Sequence, residues 1–141
     1  MIEVRANTNV EKIRIKNEHD EEIGILTFYP SDLNLPARLD KGKESIASIL
    51  KDAEKKAQDM EKDEFLTEVE VIDGKLKEQL NYMFNTDISS VFGNTNLLTP
   101  TADGYLVEVI MDAILPAIKE CVEKAAEMVE EKKNKYLGAY K

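Results

Sequence analysis

The C-terminal third of the chain carries an apolar stripe that is too long for a compact domain of this size. From Leu106 to Val129, apolar residues recur every three or four positions, which predicts one amphipathic helix. A straight helix from Asp103 to about Tyr136 would span about 50 Å, whereas a compact chain of 141 residues has a width of roughly 37 Å. We therefore expect this helix to bend near Pro116, which lacks an amide donor, to project for another chain to cover, or both.

Two segments near the N-terminus predict a β-hairpin. In Val10–Lys16, isoleucines alternate with basic residues, and Ile23–Tyr29 is rich in β-branched and aromatic side chains. The polar stretch NEHDEE between them has the composition of a turn. Since an isolated hairpin is marginal in water, it needs a covering helix or a further strand, for which Met1–Val4 is the candidate.

The middle of the chain is predicted to be helical. Pro36 suits the first turn of a helix, and apolar residues recur at helical spacing from Ser45 to Met60. A second stripe runs from Phe65 to Phe84 and continues across Gly74, so this glycine should weaken or bend the helix without ending it. The two helices should divide near Asp63.

The connector VFGNTNLLTPTADGYL lies between the helical regions and is unusually apolar. Asp87 could cap a short turn, ISSVF, that ends at Gly93, and Gly104 marks the start of the last helix. The candidate caps of that helix are Thr99, Thr101 and Asp103. The ends of the neighbouring helices do not account for the apolar side chains of Leu97 and Leu98. These two residues either lie in the helical core, as apolar loop residues usually do, or contact a partner.

These patterns predict a single α+β domain, mainly α. Its parts are a β-hairpin region at residues 1–30, a helical region at 31–93, a loop at 94–104 and a C-terminal helix at 105–141. The hairpin, of two or three short strands, should pack on the amphipathic helices, with the long last helix bent near Pro116.

The sequence offers no motif for catalysis, a metal or a cofactor. His19, the single histidine, lies in an acidic turn without the other His or Cys ligands that zinc needs. Cys121 falls on an apolar helix face, where cysteine behaves as a small hydrophobe. The glycines at 93 and 104 lack the clustered glycines and lysine of a phosphate-binding loop. We therefore expect a non-enzymatic protein without cofactor or metal.

The charge balance argues against nucleic acid and membranes as partners. With 28 acidic against 19 basic residues, the net charge of −9 repels phosphate backbones and anionic lipids. The chain has no signal-like start and no apolar run long enough to cross a bilayer, which predicts a cytoplasmic protein. A single cysteine excludes an intramolecular disulfide.

What remains is surface for other proteins. Apolar side chains in the connector, at the start of the last helix and at its lysine-rich end are the candidates for such contacts. They are Leu97, Leu98, Tyr105, Val109, Tyr136, Leu137 and Tyr140. The excess length of the last helix also predicts self-association.

Two groups of residues stand out by position, one directly after the hairpin and one directly before the loop at 94–104. They are Ser31, Asp32, Leu33, Asn34, Arg38, Leu39, Val91, Phe92 and Gly93. With these residues, the order of the predicted elements resembles the small tail assembly chaperones of long-tailed bacteriophages and prophages of Gram-positive bacteria. Where that family tends to continue with a glycine-containing run similar to FGEGT, this chain has Asn94–Asn96.

The resemblance implies a protein of the host bacterial cytoplasm that does no chemistry. Such chaperones are thought to coat the tape measure protein during tail assembly, to yield to the tail tube protein, and to be absent from the finished virion. The chain would correspond to the short form of two products made by frameshifting.

Two alternatives stay open. An acidic binding or inhibitor protein that mimics nucleic acid would gather its acidic residues on one face, most plausibly among residues 65–104. A structural virion component would polymerise through its hairpin edges and would be present in purified particles.

Overall fold

The predicted hairpin is present in the computed structural model, which describes the backbone of residues 1–138 and their side chains apart from residues 89, 90, 133 and 136–138. Strands β1 (Glu11–Lys16) and β2 (Glu22–Phe28) pair antiparallel, with an irregularity in register after Ile15. Alternation places Ile15, Leu26 and Phe28 on the buried face, while the basic residues of β1 face outward.

The predicted third strand, Met1–Val4, is wrong. Residues 1–10 form no strand, and Ile2 and Val4 are 93% and 91% exposed. The physical reason is a local turn before β1: the N–H of Asn9 donates to the Asn7 side chain at 3.3 Å, and Asn9 has a φ of 55°. This left-handed residue redirects the chain, so the first residues do not continue into the hairpin.

Two antiparallel helices follow the hairpin. Helix α1 (Leu35–Asp59) has Pro36 in its first turn, as predicted, and so begins ten residues before the apolar spacing that starts at Ser45. Helix α2 (Lys62–Phe84) begins after a break at Met60 and Glu61, close to the predicted boundary, and continues through Gly74.

Close contacts hold α1 and α2 together near both ends of the pair. Gly42 lies so close to Met83 that a Cβ atom there would overlap the methionine side chain. Toward the other end, Lys56 Nζ donates to Glu68 Oε1 at 2.8 Å. That hydrogen bond raises the pKa of Lys56 more than burial lowers it. Glycine at 42 therefore permits the close helix approach that the charge pair then fixes in register.

Several of the residues that carry the family resemblance lie at the start of α1. The Asp32 carboxylate accepts a hydrogen bond from the N–H of Asn34 at 2.9 Å and forms an ion pair with Arg38 at 2.8 Å. The N–H of Asn34 and the Arg38 guanidinium both lower the pKa of the Asp32 carboxyl. Leu33, in contrast, is 95% exposed. The charged members of the motif thus have a structural role in turning the chain into α1.

The connector after α2 contains the short predicted turn and a small ribbon. Helix α3 (Ser89–Phe92) ends at Gly93, whose φ of 56° is the left-handed conformation expected after a helix. Strands β3 (Pro100–Thr101) and β4 (Gly104–Tyr105) then pair antiparallel within the segment that was predicted as loop.

The long helix α4 (Leu106–Gly138) is present and continues through Pro116. The prediction that the side chains of Thr99, Thr101 and Asp103 cap the start of this helix is wrong. The carbonyls of Leu97 and Thr99 accept the first helical N–H groups instead. The Glu108 carboxylate accepts the N–H of Tyr105 at 3.0 Å. The threonine hydroxyls are engaged within the connector, since each donates to a carbonyl there.

The fold class is α+β, mainly α, as predicted. One core joins the buried face of the hairpin to α1, α2, α3, the connector and α4. The fully buried large side chains at its centre are Leu26, Leu35, Ile46, Leu76, Leu80, Met83, Phe84, Ile88, Leu97, Val107, Ile114 and Ile118. Among the α4 residues whose side chains are described, Ala125 is the last buried one, about two thirds of the way along the helix.

Gly42 in α1 and Gly74 in α2 should respond oppositely to alanine. Nothing lies within 4 Å of a Cβ atom built at Gly74, so Gly74→Ala should raise the free energy of unfolding by about 0.5–1 kcal/mol through helix propensity. At Gly42 the added carbon meets buried Met83, and overpacking should outweigh propensity and lower that free energy by about 1–2 kcal/mol. Urea denaturation of both variants measures the difference, and equal effects would contradict the close helix approach.

Asp32 should contribute stability that disappears in acid. Because its folded-state pKa lies below the unfolded value of about 3.9, the contribution is fully present above that value and is lost as the pH falls through the folded-state pKa. Asp32→Asn should therefore be less stable than the wild type at pH 7, and the difference should shrink below about pH 4. Denaturation at several pH values tests this, and a difference independent of pH would refute the role of the carboxylate.

Candidate protein-binding surface

His19 and Cys121, for which the sequence predicts no catalytic or metal-binding role, lie on different elements of the fold, the hairpin turn and α4. His19 lies in the exposed hairpin turn, with Nε2 3.7 Å from a Glu18 carboxylate oxygen. Cys121 is half-buried on α4. Within the described residues, no three His, Cys, Asp or Glu side chains gather in a way that could hold a metal ion. None of the described helices is long and apolar enough to span a bilayer.

Leu97 and Leu98 lie in the core, one of the two placements that the sequence left open. Leu97 is fully buried and Leu98 is 9% exposed. Tyr105 and Val109 are half-buried at the start of α4. Tyr136 and Leu137 fall in the last turn of α4, where side chains are not described, and Tyr140 lies outside the described residues. Of the predicted residues whose side chains are described, Leu98, Tyr105 and Val109 line surface cavities.

A clasp on α2 holds the connector against the core. The N–H of Leu97 donates to Asp73 Oδ1 at 2.8 Å, and the other oxygen of Asp73 pairs with Lys77 at 2.8 Å. Asn96 adds a side-chain bond to the carbonyl of Val69 at 3.3 Å. Because the Leu97 carbonyl also accepts the N–H of Val107, the clasp sets where α4 begins.

An open apolar groove lies beside the clasp, and we call it the Tyr105 groove. It has a volume of about 360 Å³ and runs between α1, α2 and the connector. Its lining residues are Ala53, Ala57, Phe65, Val69, Asn96, Leu98, Thr99, Pro100 and Tyr105. The sequence placed Phe65 and Val69 only in a core stripe, because nothing in helical spacing shows that the connector leaves a gap beside them.

Val109 belongs to a different cavity. It lines a wider cleft of about 860 Å³ between the hairpin turn and α4, together with Ile15, Ile23 and Ala113. The structure thus separates Tyr105 from Val109, although the sequence placed both in one candidate surface at the start of the last helix.

The last part of α4, residues 126–138, projects beyond the core and is called here the α4 extension. Every residue of it whose side chain is described is exposed, including Met128 at 37% and Val129 at 51%. These two continue the stripe that is buried as far as Ala125, at the spacing of a helix face. Its thirteen residues span about 20 Å, so the excess length expected from the sequence is present as a projecting end.

The clasp predicts a local stability effect at Asp73. Asp73→Ala should lower the free energy of unfolding by about 2 kcal/mol, because the partly buried N–H of Leu97 and the charge of Lys77 both lose their partner. The matched control is Asp52→Ala, which removes an exposed helix-surface partner of Lys56 and should cost less than about 0.5 kcal/mol. If the two variants unfold at the same urea concentration, the clasp does not hold the connector.

Comparison with known proteins adds no relative to this geometry. No protein-family model matches the chain, and neither curated sequences nor solved structures give a significant match. The functional interpretation therefore rests on the residues and surfaces described above, together with the family resemblance of the sequence.

Proposed function

We propose that this protein is a non-enzymatic assembly chaperone that binds the tape measure protein during construction of a phage tail. Support comes from the family resemblance and from one structural observation, the α4 extension. The chain's longest helix carries its apolar stripe past the end of its own core. A stripe that its own core leaves uncovered is suited to a partner's helix.

The side chains of the α4 extension fit that role. Met128 is flexible and polarizable, so it adapts to different apolar neighbours along a repetitive partner. Val129 adds an apolar contact one residue further along the helix. An exposed helix with such a stripe can pack against an amphipathic helix of the tape measure protein.

The net charge supports the same role. At −9 the chain disfavours contact with nucleic acid and keeps a complex with an apolar scaffold soluble. The ion pairs of the described residues lie mainly on helix surfaces and within the hairpin, as in Lys124 with Glu120 at 3.1 Å on α4. Charge therefore serves solubility, and apolar contact supplies the binding.

The proposal extends to the order of tail assembly. The protein would coat the tape measure protein first and be released when the tail tube protein replaces it, as the resemblance implies. Mass spectrometry of purified particles should then find the tube and tape measure proteins without this one. Its stoichiometric presence would favour the alternative of a structural virion component.

Co-expression with the tape measure protein of the same phage or prophage tests the proposal. The wild type should keep the tape measure protein soluble and co-purify with it. The variant Met128→Gln with Val129→Gln should weaken binding about ten-fold, because burying two partly exposed apolar side chains contributes about 1.4 kcal/mol or more.

The matched control changes two acidic residues in the same turns, Glu127→Gln and Glu130→Gln. Both are exposed, so this control should fold equally well and retain binding. A wild-type protein that neither binds nor solubilises the tape measure protein refutes the function. Binding that is equal in both double variants refutes the α4 extension as the surface.

A further inference from the structure

The first eight residues, called here the N-terminal arm, have the pattern of a strand but form none. Ile2, Val4, Ala6 and Thr8 alternate with Glu3, Arg5 and Asn7, which is typical of a strand with one less polar face. All eight are exposed, and Ile2 and Val4 are 93% and 91% exposed. The arm therefore carries apolar side chains and backbone groups suited to a sheet, outside the chain's own sheet.

The same chain offers a strand edge that the arm could extend. In the described residues, β1 pairs with β2 on one side and with no strand on the other. Helix α3 packs against β2, where a Cβ atom at Gly24 would lie 2.9 Å from the Cα of Val91. The edge of β1 is six residues long, or about 20 Å, and the arm can span about 26 Å when extended.

The course of the arm leads away from this edge in its own molecule. The turn at Asn7 and Asn9 separates the arm from β1. Residues 6–10 line a groove with Cys121, Lys124 and Met128 of α4, and the one residue of β1 in the lining of this groove is Glu11, at the start of the strand. The donor and the acceptor of a strand pairing are thus both present in one chain but kept apart.

We propose that the N-terminal arm of one copy adds as a strand to the free edge of β1 in a second copy. Main-chain hydrogen bonds would supply the attraction, and Ile2 and Val4 would gain cover against the neighbouring molecule. Each copy carries one arm and one edge, so two copies satisfy each other reciprocally or further copies add head to tail. The hairpin gains the third strand that an isolated hairpin needs, from another chain.

This assembly uses the arm and β1, whereas the proposed function uses the α4 extension. The two surfaces adjoin in the groove where residues 6–10 lie beside Met128, but the variants that test them differ. The tests below contain this protein alone, so either proposal can fail without the other.

Light scattering on the purified full chain tests the assembly. The wild type at high micromolar concentration should have a mass at least twice that of the 16.0 kDa monomer. Val4→Pro removes one amide donor from the arm and should weaken self-association at least ten-fold. Val4→Thr keeps the amide and the β-branched shape and should retain assembly.

A peptide of residues 1–8 gives a second measurement. It should bind the full-length Val4→Pro variant, whose β1 edge is left free. The same peptide with an N-methyl group on Val4 keeps every side chain but loses the amide donor, and should bind at least ten-fold more weakly. A monomeric wild type, a Val4→Pro variant that still assembles, or equal binding of the two peptides would each overturn the proposal.

Discussion

The position of α4 depends on a single carboxylate in the middle of α2. Asp73 accepts the N–H of Leu97 while pairing with Lys77, and the carbonyl of Leu97 in turn accepts the N–H of Val107 in the first turn of α4. This chain of bonds fixes an apolar connector against the core and sets the starting point of the longest helix. With that start fixed, the length of the apolar stripe determines how far α4 extends past Ala125.

The projecting end of α4 is the structural feature on which the proposed assembly function rests. A helix that ended at the core would leave the molecule self-contained, whereas here Met128 and Val129 continue the apolar face and are 37% and 51% exposed. The N-terminal arm likewise has apolar side chains that its own chain does not cover, because Ile2 and Val4 are almost fully exposed. One chain thus exposes both an apolar helix face and an apolar strand pattern. This is consistent with a protein that binds partners through these two elements.

The sequence predicted the elements whose patterns are local, and it missed contacts between distant residues. The hairpin, the division between α1 and α2, the stop at Gly93 and the long last helix follow from alternation, helical spacing and glycine. The third strand failed because the turn at Asn9 overrides the alternation of the arm. The caps of α4 failed because Glu108 and connector carbonyls took their place. The clasp joins residues 73 and 97, and no local pattern encodes that pairing. For the same reason the Tyr105 groove could not be predicted.

Hydrogen–deuterium exchange along α4 tests the central claim that its end lies outside the core. In the isolated protein, amides from Ile110 to Ala125 should be protected, whereas those of the α4 extension should exchange much faster because the described side chains of that part of the helix are exposed. In a complex with the tape measure protein, the extension should become protected while the buried part changes little. Uniform protection along the whole helix in the isolated protein would contradict the account.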